Sequence, residues 1–225
     1  MKDNIRLIKV KESIHDDNNR QAKELRETLR HRSTLLINLM SSPGSGKTSL
    51  LLRTIRSLKQ DFRFGVIEAD IDSTVDAELI NECGVPAVQL QTGGFCHVDS
   101  TMVKEGLDLL DLDELDIIFI ENVGNLVCPA EFDTGASADI MILSVPEGDD
   151  KPLKYPLMFS KCQALIVNKT DYLQNELTNF NLDLLEQRVR KINQDIKIFP
   201  LSSLTGKGFN PWCEWLSSRF AGHTA

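Results

Sequence analysis

Residues 41–49, SSPGSGKTS, combine glycines, a lysine and hydroxyl side chains at a spacing suited to the phosphates of a nucleotide. The stretch follows an apolar run and fits the phosphate-loop pattern G-x-x-x-x-G-K-S/T, except that Ser41 replaces the first glycine. Glycines there let backbone N–H groups turn toward phosphate, the lysine reaches the terminal phosphates, and the threonine hydroxyl can bind Mg²⁺. The simpler alternative is a glycine-rich turn with a surface lysine. The residues predicted to hold nucleotide are Gly44, Ser45, Gly46, Lys47, Thr48 and Ser49.

A second polar group, NKTD at 168–171, stands at the end of another apolar run and indicates the base. The carboxylate of Asp171 can accept hydrogen bonds from the N1–H and amino group of guanine, whereas adenine presents an unprotonated N1. Asn168 and Lys169 are expected to brace this loop, with the lysine stem along the base. A third loop, LSSLTGKG at 201–208, is expected to offer its backbone to the guanine carbonyl oxygen. The residues concerned are Ser202, Ser203 and Leu204. Together the three loops predict a GTPase.

Two carboxylates stand at the ends of further apolar runs, Asp70 after FGVIEA and Glu121 within DIIFIEN. Both are expected near the Mg²⁺ and the terminal phosphate, where one binds the metal with Thr48 and the other orients the attacking water. The sequence does not divide these two roles, and solvated strand-end carboxylates are the alternative. Lys47 completes the predicted catalytic set. Neither a catalytic glutamine nor an arginine finger is evident, so slow hydrolysis is expected.

The stretch GGFCHVDS, residues 93–100, places Cys96 beside His97, and Cys128 lies in the loop after the next apolar run. Thiolate and imidazole suit Zn²⁺ or Ni²⁺ rather than Mg²⁺ or Ca²⁺. A closed tetrahedral site needs four ligands, which a twofold dimer supplies from two copies of Cys96 and His97. A single-chain site with Cys128 as third ligand stays open. The alternative without metal is a buried thiol beside an exposed histidine.

These motifs can form one binding site only if the strands before them end at the same edge of a sheet. Seven apolar, β-rich runs alternate with helical patterns, which predicts an α/β fold with a doubly wound, mainly parallel sheet flanked by helices. In such a sheet the loops after the strands share one edge and bind the ligand. The runs lie at 34–40, 64–69, 86–91, 116–122, 139–145, 164–168 and 196–201. Residues 1–33 are predicted to form an N-terminal helical extension, with a solvated or partner-facing helix, and residues 34–225 the P-loop domain.

Composition narrows the function classes. The chain has 225 residues, 25 basic against 33 acidic side chains and a net charge of -8, so binding along a nucleic-acid backbone is not expected. No apolar stretch is long enough for a membrane span, and no secretory signal is evident. Five scattered cysteines do not suggest a disulfide framework, which favours reduced thiols in the cytoplasm.

The motifs SSPGSGKT, TGGFCHVDS, ENVGNLVCPA, EGDDKPLKYP and NKTD together resemble the HypB family, the nickel-incorporation GTPases of NiFe-hydrogenase maturation. The resemblance runs from about residue 34 to residue 218. It implies a homodimer in the GTP state and nickel or zinc binding through Cys96, His97 and Cys128. It also implies delivery of nickel to the hydrogenase large-subunit precursor, together with a zinc-containing, HypA-like accessory protein.

Three other functions are compatible with parts of the same pattern. The related urease maturation GTPases also deliver nickel, but they place a proline between cysteine and histidine, and here Cys96 and His97 are adjacent. A non-catalytic guanine-nucleotide scaffold with structural cysteines is the alternative from another class. A small-molecule kinase specific for adenine gives no reason for the NKTD sequence.

Overall fold

The computed structural model describes residues 10–70, 75–174 and 178–224, so the first nine residues of the predicted extension lie outside it. The described strands are β1 Leu35–Ser41, β2 Phe64–Asp70, β3 Ala87–Gln91, β4 Ile117–Glu121, β5 Ala138–Ser144, β6 Ala164–Asn168 and β7 Lys197–Pro200. They form one sheet in the order β3-β2-β4-β1-β5-β6-β7, and each neighbouring pair is parallel. All seven predicted strands and the predicted fold class are confirmed.

Helices cover both faces of the sheet. They are α1 Val10–His31, α2 Lys47–Leu58, α3 Val75–Glu82, α4 Ser100–Leu107, α5 Lys151–Lys154, α6 Pro156–Lys161, α7 Leu182–Ile192 and α8 Asn210–Thr224. Short 3-10 turns occupy 112–114, 128–130, 145–147 and 170–174. None of the described helices is long and apolar enough to cross a lipid bilayer.

The helix boundaries differ from the sequence pattern in two places. The pattern predicts a helix over 176–194, of which residues 176 and 177 lie outside the described ranges. In the described part α7 begins at Leu182, because the Asn181 side chain caps it by accepting a hydrogen bond from the Leu184 N–H (2.9 Å). The short helices α5 and α6 were not predicted, since neither is long enough to show a periodic apolar stripe. Each carries a proline in its first turn, where no backbone donor is needed.

The strand residues alternate between two buried faces. Leu35, Ile37 and Leu39 of β1 belong to a cluster that includes residues of α2 and α8. In that cluster Trp212 of α8 is fully buried, and its indole Nε1 donates to Thr54 Oγ1 of α2 (2.9 Å). The Trp212 ring also stacks on Trp215, with centroids 5.5 Å apart. This contact fixes α8 against the helix that starts at the phosphate loop.

The N-terminal helix α1 is not the solvated helix that its composition predicts. Ala22, Leu25 and Leu29 are buried, and Leu25 and Leu29 join the cluster that covers Leu36 and Ile118 on the other face of the sheet. Three apolar positions spaced by three and four residues are enough to form a buried stripe on one side of a helix. The described part of α1 therefore packs onto the body of the fold, while its other face stays polar.

Asp139 of β5 is a carboxylate in the wall of a cavity between α1 and α6. Its Oδ1 accepts a hydrogen bond from Asn38 Nδ2 of β1 (2.8 Å), and Arg26 and Lys161 line the same cavity. Burial raises the pKa of Asp139 to about 6, and the bond from Asn38 opposes that rise only in part. Below about pH 6 the folded protein holds this proton, whereas the unfolded chain releases it near pH 4.

The contribution of Asp139 to the free energy of unfolding should fall as the pH rises from about 4 to 6, because the folded state binds the Asp139 proton more tightly. Asp139→Asn removes this cost and keeps an acceptor for Asn38, so we expect a gain of roughly 1–2 kcal/mol at pH 7.5. The gain should shrink to about half at pH 5. Urea denaturation at the two pH values measures it, with the exposed Asp195→Asn as control. A loss of stability at pH 7.5 would contradict the argument.

Candidate nucleotide and metal site

The phosphate loop joins the end of β1 to the start of α2. Gly44 (φ 73°) and Gly46 (φ 93°) both adopt the left-handed conformation that favours glycine. Lys47 begins α2, and its Nζ donates to Ser41 Oγ (3.0 Å) across the loop. Ser41, which replaces the first glycine of the phosphate-loop pattern, thus holds the side chain of Lys47. The backbone donors of the loop and the N-terminus of α2 form the anion-binding arrangement that the sequence predicts.

Asn168, the last residue of β6, connects all three predicted nucleotide loops. Its Nδ2 donates to the Ser45 carbonyl (3.0 Å), and its Oδ1 accepts from the Ser203 N–H (3.0 Å). A Cβ at position 46 would lie 2.6 Å from Asn168 Nδ2, so only glycine allows this approach. The asparagine is buried and therefore acts as an internal brace, as its sequence position suggests.

Other residues of the predicted base site lie around a cavity beside the phosphate loop. Lys169 takes the left-handed conformation (φ 60°), and its Nζ donates to the Gly44 carbonyl (2.7 Å). Asp171 accepts a hydrogen bond from Ser202 Oγ (2.5 Å), which orients the carboxylate. The cavity has a volume of about 670 Å³. Its lining includes Gly46, Ser49, Asn168, Lys169, Asp171, Ser203 and Leu204.

Two residues that the sequence reasoning missed brace these loops. Arg53 of α2 donates from Nη1 to the carbonyls of Ser203 (3.1 Å) and Leu204 (3.2 Å), and so fixes the third loop to the P-loop helix. Glu147 accepts a hydrogen bond from Ser42 Oγ of the phosphate loop and another from the Ser144 N–H (2.7 Å). Arg53 belongs to no recognisable motif, and Glu147 begins the stretch EGDDKPLKYP. A charged residue on a helix or in a loop gives no sequence signal for a contact with a distant loop.

Two of the three predicted magnesium ligands, Thr48 and Glu121, meet at the end of β4. Thr48 Oγ1 donates to Glu121 Oε1 (2.8 Å), so the phosphate loop touches the last residue of that strand. Glu68 of β2 lies opposite Glu121 in the parallel register, and both are buried, although the sequence reasoning did not single out Glu68. Asp70 ends β2, two residues beyond that level, and its carbonyl accepts from the Thr92 N–H (3.1 Å). Oxygen donors of this kind fit Mg²⁺.

The loop after β4 packs directly against the phosphate loop. A Cβ at Gly124 would lie 3.0 Å from the backbone nitrogen of Pro43, so a larger residue there would force the two loops apart. The same loop continues to Cys128. The segment from Glu121 to Cys128 therefore touches the nucleotide loop at one end and carries a predicted metal ligand at the other.

The structure brings two of the three predicted metal ligands together. The Sγ atoms of Cys96 and Cys128 lie 2.7 Å apart, although 31 residues separate them in the chain. Their shared hydrogen bond, followed by burial, raises the pKa of Cys128. Asn125 supports the pair by donating from Nδ2 to the Cys96 carbonyl (3.4 Å). Two thiols this close can serve as ligands of one soft metal ion.

The ring of His97 is not grouped with the thiols of Cys96 and Cys128 among the described residues. Its ring stacks on Phe132, with centroids 3.8 Å apart and planes 11° apart, and its Nδ1 is buried without a hydrogen bond from the described residues. Burial lowers the pKa of His97, while Asp99 and Glu131 oppose that change. In the described ranges no three His, Cys, Asp or Glu side chains are grouped closely enough to hold a metal ion. The expected three-ligand set is therefore not assembled in this conformation.

The parallel sheet, the phosphate loop and the loops that meet at Asn168 define a P-loop nucleotide-binding protein. Residues 35–200 match the family model described as the CobW/HypB/UreG nucleotide-binding domain. The chain belongs to the HypB family, which confirms the resemblance carried by the Cys-His motif.

Individual relatives agree with this assignment. The chain is 42% identical to the hydrogenase maturation factor HypB of Escherichia coli K12, over 95% of this chain and 73% of that protein. It is also 42% identical to the hydrogenase/urease maturation factor HypB of Helicobacter hepaticus, over 89% of this chain and 83% of that protein. The crystal structure of HypB from Helicobacter pylori in complex with nickel matches with a TM-score of 0.87 and 37% identity. That match covers 92% of this chain and 97% of the other.

Proposed function

We propose that this protein is a GTP-hydrolysing metallochaperone that binds nickel, or zinc, and assists nickel insertion into NiFe-hydrogenase through nucleotide-dependent dimerisation. The main support comes from the contacts at the two ends of the segment from Glu121 to Cys128. Glu121 contacts Thr48 of the phosphate loop, and Cys128 lies beside Cys96. A change in the terminal phosphate can therefore reach the thiols through this eight-residue segment.

In this proposal the guanine base contacts Asp171 and the backbone of Ser202, Ser203 and Leu204, while Asn168 and Lys169 hold the loops. Gly44 to Ser49 bind the phosphates. Mg²⁺, when bound, neutralises charge on the terminal phosphates, and Thr48, Asp70 and Glu121 would hold it. Lys47 contacts the same phosphates, so it must leave the Ser41 hydroxyl that it contacts now.

Nickel is the cargo in this proposal, and the donor set fits it. Sulfur and imidazole are preferred by Ni²⁺ and Zn²⁺, and Cys96, Cys128 and His97 supply both types. For His97 to bind, its ring has to leave Phe132. A closed tetrahedral site needs four ligands, and the proposed set from one chain has three. A homodimer in the GTP state supplies further ligands from the second copy. The structural relative from Helicobacter pylori was crystallised with nickel.

The partners follow from the same proposal. They are the hydrogenase large-subunit precursor and a zinc-containing, HypA-like accessory protein, met in the cytoplasm. Residues 1–33 form the N-terminal extension and residues 34–225 the GTPase domain in this scheme, with α1 docked on the domain. Urease is a second candidate acceptor of the nickel, since the relative from Helicobacter hepaticus is named a hydrogenase/urease maturation factor.

Nickel affinity should depend on the nucleotide, by about 5- to 150-fold between GDP and a non-hydrolysable GTP analogue. The reason is that the segment from Glu121 to Cys128 contacts both sites. Titration calorimetry in the two nucleotide states measures the ratio, and light scattering on the same samples reports dimerisation.

The paired control uses two variants. Cys96→Ala/His97→Ala should abolish tight nickel binding, whereas Cys83→Ala, at a cysteine outside the proposed site, should leave it unchanged. Equal nickel affinity in the two nucleotide states would reject the coupling. Tight binding that survives the double substitution would place the metal elsewhere.

A further inference from the structure

Asn18 of α1 is a buried polar residue that touches both cysteine-bearing loops. Only 7% of it is exposed. Its Oδ1 accepts hydrogen bonds from the backbone N–H of Ser100 (2.9 Å) and from Ser100 Oγ (2.8 Å). Its Nδ2 donates to the carbonyl of Asp133 (3.0 Å). One amide side chain thus joins two segments that are far apart in the chain.

Each of the two segments follows a proposed metal ligand closely in the chain. Ser100 begins α4 shortly after Cys96 and His97, and Asp133 follows Cys128 and the stacked ring of Phe132. Fixing Ser100 and Asp133 to one point therefore restricts how far Cys96 and Cys128 can separate. The two loops also meet directly, through the stack of His97 on Phe132 and the bond from Asn125 to the Cys96 carbonyl, and Asn18 adds a buried connection beyond the Sγ–Sγ contact of 2.7 Å.

Other residues of α1 strengthen the same connection. Gln21 Oε1 accepts from Thr101 Oγ1 (2.6 Å), next to the first loop. Arg26 pairs with Asp133 Oδ1 (2.6 Å) on the second. The ring of His15 lies against Phe132 in a tilted arrangement, with ring centroids 4.8 Å apart, and His97 stacks on the same Phe132 ring. Asn18 is distinct because it bonds to both loops at once.

We propose that Asn18 is a positioning residue that holds the Cys96 and Cys128 loops at metal-binding distance. The inference rests on the proposed metal function of these cysteines. An amide is suited to the task because it accepts from one loop and donates to the other, whereas a carboxylate could do only the first. Ligand placement of this kind is set by hydrogen bonds outside the ligands themselves, and its loss typically weakens metal binding 10- to 100-fold.

The first test needs no metal. With glutathione disulfide, the two thiols form one disulfide bond and reduce the oxidant to two glutathione thiols, so the equilibrium constant reports how closely the loops are held. Asn18→Ala should lower this constant about tenfold, which corresponds to losing one to two hydrogen bonds. Asn18→Asp, which keeps the bonds from Ser100, should give an intermediate value. The neighbouring, exposed Asn19→Ala is the matched control and should behave as the wild type.

The second test adds Ni²⁺ and follows its thiolate charge-transfer absorption. Asn18→Ala should bind nickel about tenfold or more weakly, while its affinity for GDP stays unchanged. Unchanged values in both tests, with wild-type nickel binding intact, would overturn the inference alone. If wild-type nickel binding did not require Cys96 or Cys128, the proposed metal function would fail instead. Should Asn18→Ala not fold, Ser100→Ala removes the hydroxyl bond and should shift both readouts in the same direction, and no shift would overturn the inference.

Discussion

Asp171→Asn is expected to change the preferred base from guanine to xanthine. The carboxylate of Asp171 can accept from both N1–H and the 2-amino group of guanine, whereas asparagine would present its NH₂ donor to that amino group. Xanthine has a carbonyl there and restores the pair. Because a mismatched buried donor stays unsatisfied, GTP affinity should fall by about 10⁴-fold, and xanthosine triphosphate should recover most of it. Competition with a fluorescent nucleotide measures both affinities.

The structure supplies a control for this exchange. Asp171 already accepts a hydrogen bond from Ser202 Oγ, and asparagine Oδ1 can accept the same bond, so the loop should keep its conformation. The phosphate loop lies on another element, and hydrolysis of xanthosine triphosphate by the variant should match wild-type GTP turnover. Equally weak binding of GTP and xanthosine triphosphate by the variant would show that the substitution damages the loop rather than the base contact.

Lys47→Ala is expected to lower the rate of multiple-turnover phosphate release by about 10²- to 10³-fold, because it removes the positive charge nearest the terminal phosphates. The lysine contacts Ser41 Oγ now, so its loss should cost little stability. Phosphate release at saturating GTP and Mg²⁺ measures the effect.

Lys59→Ala is the matched control, since Lys59 is an exposed lysine that follows α2 at its other end. Wild-type protein without any turnover would favour the non-catalytic scaffold. Turnover that survives Lys47→Ala would remove this lysine from the catalytic set.

The sheet was predictable because each strand is a short apolar run, and parallel strands deliver their following loops to one edge. That rule also placed Cys96 and Cys128 in strand-end loops on one side of the sheet, but it left open whether Cys128 joins Cys96 in one chain or two copies of Cys96 and His97 meet in a dimer. The separation of His97 from the two cysteines was not predictable from the sequence. It depends on the stack of His97 on Phe132, and tertiary packing sets the position of that ring. The buried side of α1 was missed because only three apolar residues, Ala22, Leu25 and Leu29, create it.

The bracing residues share one property that explains why sequence patterns did not reveal them. Arg53, Glu147 and Asn18 each bond to groups more than 70 residues away, with the exception of the local Ser144 contact of Glu147. Their residue types are common on helix surfaces and in loops, and even the motif that Glu147 begins, EGDDKPLKYP, does not indicate which distant group it contacts. Phosphate and base ligands, by contrast, lie within short motifs whose spacing reflects the shape of the nucleotide.

The hydrogen bond from Trp212 to Thr54 has a practical consequence for following the nucleotide cycle. The indole is fully buried, and its partner lies on the helix that begins at Lys47, so this ring senses any shift of that helix against its neighbour. Emission from Trp212 and the adjacent Trp215, the only two tryptophans of the chain, therefore provides a built-in fluorescence reporter that needs no attached dye.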